Sequence, residues 1–149
     1  MRLLGLAIAT GGGVGYVRFA PGTFGSLLGL LVWAAVTQNL AVQAAVIVTV
    51  CATGTWSAGI AERHLRQTDP GAVVIDEVAG MLVTLLLNPV GWGGAVAGFL
   101  AFRLFDIVKP FPVNRLERLP GGLGIMADDV AAAIYANLLL RLGILLFHS

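Results

Sequence analysis

No Asp, Glu, Lys or Arg stands between Arg18 and Glu62, and none stands between Glu77 and Arg103. A helix that crosses a bilayer needs about 20 consecutive apolar residues, and both uncharged runs are longer than that. The 149-residue chain is 58% hydrophobic and only 11% charged, with a mean hydropathy of +0.90. A chain of this size has too little interior to hide so much apolar surface, so lipid is the expected solvent for part of it. We therefore read an integral membrane protein. A net charge of +1 with scattered basic residues argues against a nucleic-acid partner. Cys51 is the single cysteine, which excludes an internal disulfide and a four-ligand thiolate metal site.

Local signals divide the chain into helices. The Gly-rich stretch 11–25, "GGGVGYVRFAPGTFG", reads as irregular. Two helices fit within 24–65, separated by a turn at "TQNL", residues 37–40. Asp69-Pro70-Gly71 is a strong turn signal. Residues 72–88 and 92–108 each read as a helix of about 25 Å, with "NPVGWGG" as the breaker between them. A loop or short helix follows over 110–123, then a last helix over 125–147. The expected fold is all-α: a membrane-embedded bundle of five or six helices in a single domain over 1–149, with a helical hairpin at 72–108. Gly25 with Gly29, and Gly94 with Gly98, are small residues at the spacing that lets helices approach closely in lipid.

Five of the eight acids interrupt apolar sequence. Asp76 and Glu77 lie in "VVIDEVAGMLV", Asp106 in "FRLFDIVKP", and Asp128 and Asp129 in "GIMADDVAAAIYA". An unpaired carboxylate at membrane depth costs several kcal/mol, so such acids point to function. In one straight helix Asp76 and Asp106 would be about 45 Å apart. The break after Asn88 folds the segment back and brings Asp76, Glu77 and Asp106 to one end. If the last helix starts beside that end, Asp128 and Asp129 join them. Such a set of hard oxygen ligands suits Mg²⁺. Arg103 and Lys109 then fall within a turn or two of Asp106, where a guanidinium fork and an ammonium bind phosphate. His64 and His148 stand alone, which argues against an imidazole metal site.

The chain resembles the phosphatidylglycerophosphatase A family through four blocks in the same order: "APGTFGS" at 20–26, "DPGAVVIDEVAGM" at 69–81, "FRLFDIVKPFPVNRLE" at 102–117 and "GGLGIMADDVAA" at 121–132. It departs from the family's usual pattern at Arg18, often proline, and at Ala133, often glycine. The resemblance implies a Mg²⁺-dependent phosphatase that removes the terminal phosphate of phosphatidylglycerol phosphate in the bacterial inner membrane. The substrate partner is then a membrane phospholipid. Some subset of Asp76, Glu77, Asp106, Asp128 and Asp129 is expected to bind the metal. Catalytic work is expected from Asp76, Glu77, Asp106 and Asp129, with one carboxylate left as general base. Arg103 and Lys109 are expected to neutralise the phosphoryl oxygens, with Thr23 and Ser26 as further phosphate donors.

Six of the nine Lys and Arg residues, Arg63, Arg66, Arg103, Lys109, Arg115 and Arg118, flank the acid-bearing segments. The positive-inside tendency places them in the cytoplasm. A cation transporter would also bury acids, but nearer mid-membrane and often within repeats, and no repeat is visible. A structural membrane subunit explains the hydrophobicity but not the five acids.

Overall fold

A computed structural model describes residues 1–36 and 39–147. It comprises seven α-helices, with no strand among the described residues: α1 (Arg2–Ala9), α2 (Pro21–Ala35), α3 (Leu40–Leu65), α4 (Ile75–Leu85), α5 (Trp92–Val108), α6 (Val113–Leu116) and α7 (Gly122–Phe147). Five of them have eleven residues or more; α1 has eight and α6 only four. The bundle is all-α, and α4 and α5 form the two arms of the expected hairpin.

α3 and α7 have 26 residues each, or about 39 Å at 1.5 Å per residue. Both are long and apolar enough to cross a membrane. Leu138, Leu142 and Leu145 on α7 and Val48 on α3 are exposed, as an outward face in lipid requires. Asn39 begins α3 by accepting hydrogen bonds from the backbone N–H groups of Ala41 and Val42, the usual Asn cap. Thr37 and Gln38, in the expected turn, and His148 lie outside the described residues.

α4 is the centre of the bundle and touches α2, α3, α5 and α7. All its residues except Glu77 and Val83 are buried. The ring of fully buried Phe102 lies on Gly80, where a Cβ would collide with it. On the other side, a Cβ at Gly25 would come within 2.7 Å of Val74, and one at Gly29 within 2.7 Å of Met81. This pair of small residues is the seam that brings α2 against α4. Gly98 is likewise buried, against Leu85, Thr84 and Leu140, whereas Gly94 abuts only Val90 one turn earlier in the chain.

Two boundaries differ from expectation. The irregular glycine stretch ends sooner, because Pro21 sits in the first turn of α2, where its fixed φ and missing N–H are no handicap. The "GTFGS" segment is helix. α4 ends at Leu85 rather than near Asn88, giving a helix of about 16 Å, roughly half a bilayer core. Its final carbonyls are not left unpaired. Asn137 on α7 places Nδ2 2.8–3.0 Å from the carbonyl oxygens of Val83, Thr84 and Leu86, and Asn88 donates to Thr84 O. Without such donors a helix end in apolar surroundings would strand several acceptors.

Candidate active site

Four chain segments meet at one end of the bundle. The Asp69-Pro70-Gly71 turn, closed by a 2.8 Å bond from Val73 N–H to Pro70 O, delivers the chain into α4. Asp76 and Glu77 occupy the first turn of α4, where the helix dipole favours negative charge. Arg103 and Asp106 lie in the last turns of α5, and Lys109 is its C-cap in the left-handed conformation, φ 47°. Asp128 and Asp129 follow from the start of α7. The backbone of Ala20, Pro21 and Gly22 at the start of α2 closes the fourth side. Together they line a cavity of about 250 Å³ that contains all five acids, with Arg103 and Lys109.

Within it the acids divide into two kinds. Asp76, Glu77 and Asp129 each offer an oxygen, and these oxygens lie within 4.8 Å of one another. Asp76 Oδ1, Glu77 Oε2 and Asp129 Oδ2 are buried without a hydrogen-bond partner. Only Arg103 approaches, at 3.9 Å from Glu77 Oε1. Three like charges held together away from water are strongly unfavourable alone. A set of converging acceptors with no donor among them is what a hard cation neutralises. The trio therefore fits a metal ion.

The other two acids have cation partners. Arg103 donates to Asp106 Oδ2 at 2.6 Å, the i,i+3 pair of one helix turn. Lys109 bridges Asp128 Oδ2 and Glu117 Oε2, both at 2.7 Å. Burial works against the Lys109 charge, but the hydrogen bonds from it to Asp128 and Glu117, and their negative charges, outweigh that and hold its pKa above the ordinary lysine value. Asp128 Oδ1 also accepts from the Asp129 N–H.

Thr23 and Ser26 are not brought to the cavity wall. Ser26 is fully buried and its hydroxyl donates to Gly22 O at 2.8 Å. Gly22 itself is at the site, because a Cβ there would run into Glu77 Oε1 and the Arg103 guanidinium. Sequence reasoning did not assign a site role to Gly22, Asp69 or Glu117. Asp69 was visible only as part of a turn, and Glu117 lies eight residues from Lys109 across a stretch with no helical period to relate them. A second glycine three residues before Gly25 was the one available hint for Gly22.

Residues 7–144 match the family model described as phosphatidylglycerophosphatase A. Among known proteins, a Bacteroides thetaiotaomicron protein provisionally named a phosphatidylinositol-3-phosphatase is 39% identical, over 92% of this chain and 91% of its own length. The Haemophilus influenzae phosphatidylglycerophosphatase A is 38% identical, over 87% and 82%, and the Escherichia coli phosphatidylglycerophosphatase A is 33% identical, over 85% and 76%. No solved structure matches. An acid cluster that needs a cation, two basic side chains at its rim and this match over most of the chain lead to one assignment: the protein belongs to the phosphatidylglycerophosphatase A family.

Proposed function

We propose that this chain is a Mg²⁺-dependent lipid phosphatase, a single membrane-embedded domain over 1–149 that hydrolyses phosphatidylglycerol phosphate to phosphatidylglycerol and phosphate. The observation that carries the reading is the trio of Asp76, Glu77 and Asp129, each with a buried carboxylate oxygen that lacks a hydrogen-bond partner, beside Arg103 and Lys109 in one cavity. The family and its named bacterial relatives support the phosphatase class and a phospholipid substrate.

In this reading Asp76, Glu77 and Asp129 would hold the ion, which when bound would supply positive charge to the phosphoryl oxygens. Arg103 and Lys109 grip the remaining oxygens. Asp106 and Asp128 hold those two cations in place, so little reorganisation is needed as charge shifts toward the leaving oxygen. Asp106 uses Oδ2 for Arg103, which leaves Oδ1 to take a proton from the attacking water. The water oxygen bonds to phosphorus, the bond from phosphorus to the glycerol oxygen breaks, the departing alkoxide takes a proton from solvent, and Asp106 returns its proton to solvent. A steric consequence follows from Gly22: any side chain there displaces Glu77 or Arg103.

The test is phosphate release by the purified protein from phosphatidylglycerol phosphate in detergent micelles. Release should stop with EDTA and return with excess Mg²⁺. No release would leave the transporter and structural-subunit readings; release unaffected by EDTA would remove the metal. The relative provisionally named a phosphatidylinositol-3-phosphatase makes phosphatidylinositol 3-phosphate the substrate to compare in the same assay. Faster turnover of that lipid would replace the head group in this proposal while keeping its chemistry.

We place the protein in the bacterial inner membrane with the cavity facing the cytoplasm. Thr68→Cys and Asn114→Cys, made singly in a Cys51→Ala background, should both resist an impermeant thiol reagent in intact cells and both react once the membrane is opened. Labelling of just one in intact cells would put the two flanks of the cavity on opposite sides and defeat this topology.

A further inference from the structure

A second polar cavity, of about 480 Å³, lies where the start of α1 meets the end of α3, and it is lined by Arg2, Ile60, Arg63, His64 and Arg66. Arg63 and His64 belong to the last turn of α3, where cations are favoured by the helix dipole. Arg2 is in the opposite position. It is the first residue of α1, where the dipole disfavours a cation, and it faces the same space as two other guanidiniums, which cannot relieve the repulsion by losing a proton. The side chains of Arg2, Arg63, His64 and Arg66 are exposed, and none makes a side-chain hydrogen bond or ion pair within the protein among the described residues. The adjacent acid, Glu62, turns instead toward Gly121 at the start of α7. An anion entering this space would meet three guanidiniums at once.

The neighbouring surface says which kind. Leu3 and Leu4, next to Arg2 on α1, are 82% and 60% exposed, so the charged cavity opens beside bare apolar surface. A short helix with a cation and exposed leucines is suited to the boundary between head groups and acyl chains. Basic pockets at that boundary, beside membrane-spanning helices, are suited to phosphate-bearing lipid head groups. Free phosphate would satisfy the arginines but leave the leucines exposed; an amphiphile covers both. The walls carry no carboxylate, and the one imidazole, His64, stands among three guanidiniums that repel a metal ion.

We propose that this cavity is a non-catalytic binding site for an anionic phospholipid, with its phosphate among Arg2, Arg63 and Arg66 and its acyl chains along Leu3 and Leu4. Trp56, one turn before Ile60 on α3 and 39% exposed, is a built-in reporter. With Trp33→Phe and Trp92→Phe leaving it as the sole tryptophan, its fluorescence should be quenched by phosphatidylglycerol with brominated acyl chains at a mole fraction at least about fivefold lower than by brominated phosphatidylcholine. Equal quenching by the two lipids would overturn the proposal. The preference should vanish in Arg2→Gln/Arg63→Gln/Arg66→Gln and persist in the corresponding triple lysine variant, which separates loss of charge from loss of fold. A preference that survives the glutamine changes would place the lipid elsewhere. Sodium phosphate should not abolish the preference when compared with sodium chloride at equal ionic strength; if it does, the cavity takes free phosphate and the lipid assignment fails. Asp129→Asn should leave the preference intact. Its loss there would mean that the lipid is held in the acidic cavity.

Discussion

The floor and the rim of the acidic cavity use the same chemical groups and leave them in opposite states. At the rim, Asp106 is matched by Arg103, and Asp128 by Lys109. At the floor, Asp76, Glu77 and Asp129 present oxygens to one another, each with one buried oxygen that has no hydrogen-bond partner, and the single ion pair among them is the long 3.9 Å approach of Arg103 to Glu77. Ion pairs at the rim are complete without any ligand, so they aim two cations, and Asp106 keeps Oδ1 free of its arginine. The floor is incomplete, and its instability is the reason to expect an added cation. Burial alone does not separate the two, since Asp128 and Asp129 are both 4% exposed. The availability of a positive partner does.

The largest effect should come from the floor. Asp76→Asn or Asp129→Asn should lower turnover by on the order of a thousandfold, more than the 10- to 100-fold typical of groups that only support a metal ligand. The same change removes a buried charge from a like-charged cluster, so the metal-free variant should melt at or above the parent's temperature in detergent. The parent in turn should gain stability from Mg²⁺ by mass action, and the variants should not. Wild-type turnover in either variant, or an equal Mg²⁺ shift, would erase the distinction between floor and rim.

At the rim, Arg103→Lys should cost about 10- to 100-fold in turnover, since a planar fork becomes a point charge, while leaving the Mg²⁺-induced stabilisation in place. An unchanged rate would reduce Arg103 to a partner for Asp106. Asp128→Asn should do less. Lys109 keeps Glu117 as a second acceptor at 2.7 Å, so a rise in KM within about tenfold, or about 1.4 kcal/mol, is expected. A thousandfold loss there would move Asp128 into the floor.

The smallest effect on chemistry should come from Asn137, far along α7 from the acids. Asn137→Ala takes the side-chain donor from Leu86 O, while Thr84 O keeps Asn88 and Val83 O keeps the Leu86 N–H, at a cost of about 1–3 kcal/mol for a buried unsatisfied group. Thermal unfolding in detergent should register that loss, and the affinity for Mg²⁺ measured by thermal shift should stay within a few-fold. A large change in Mg²⁺ affinity would mean that the end of α4 and its first turn are mechanically tied.

The sequence alone determined the all-helical class, the apolar character of the long helices and the end of the bundle at which the acids gather. Uncharged runs longer than a bilayer crossing allow few alternatives, and the break after Asn88 is enough to infer that Asp76, Glu77 and Asp106 share an end, as they do in one cavity. The i,i+3 relation of Arg103 to Asp106 was equally plain, because helical periodicity is a local property. What the tertiary structure decided is how the charges are shared out. Lys109 and Asp128 are nineteen residues apart, and Asn137 reaches carbonyls more than fifty residues away. Neither pairing has a spacing that a linear pattern can carry. Whether a buried carboxylate meets a cation or another carboxylate depends on the rotation of each helix about its axis, which is set by packing such as Gly25 and Gly29 against Val74 and Met81. A shift of a few ångströms between helices exchanges one partner for another, so residue types announced a charged site, and only the packing divided it into a paired rim and an unpaired floor.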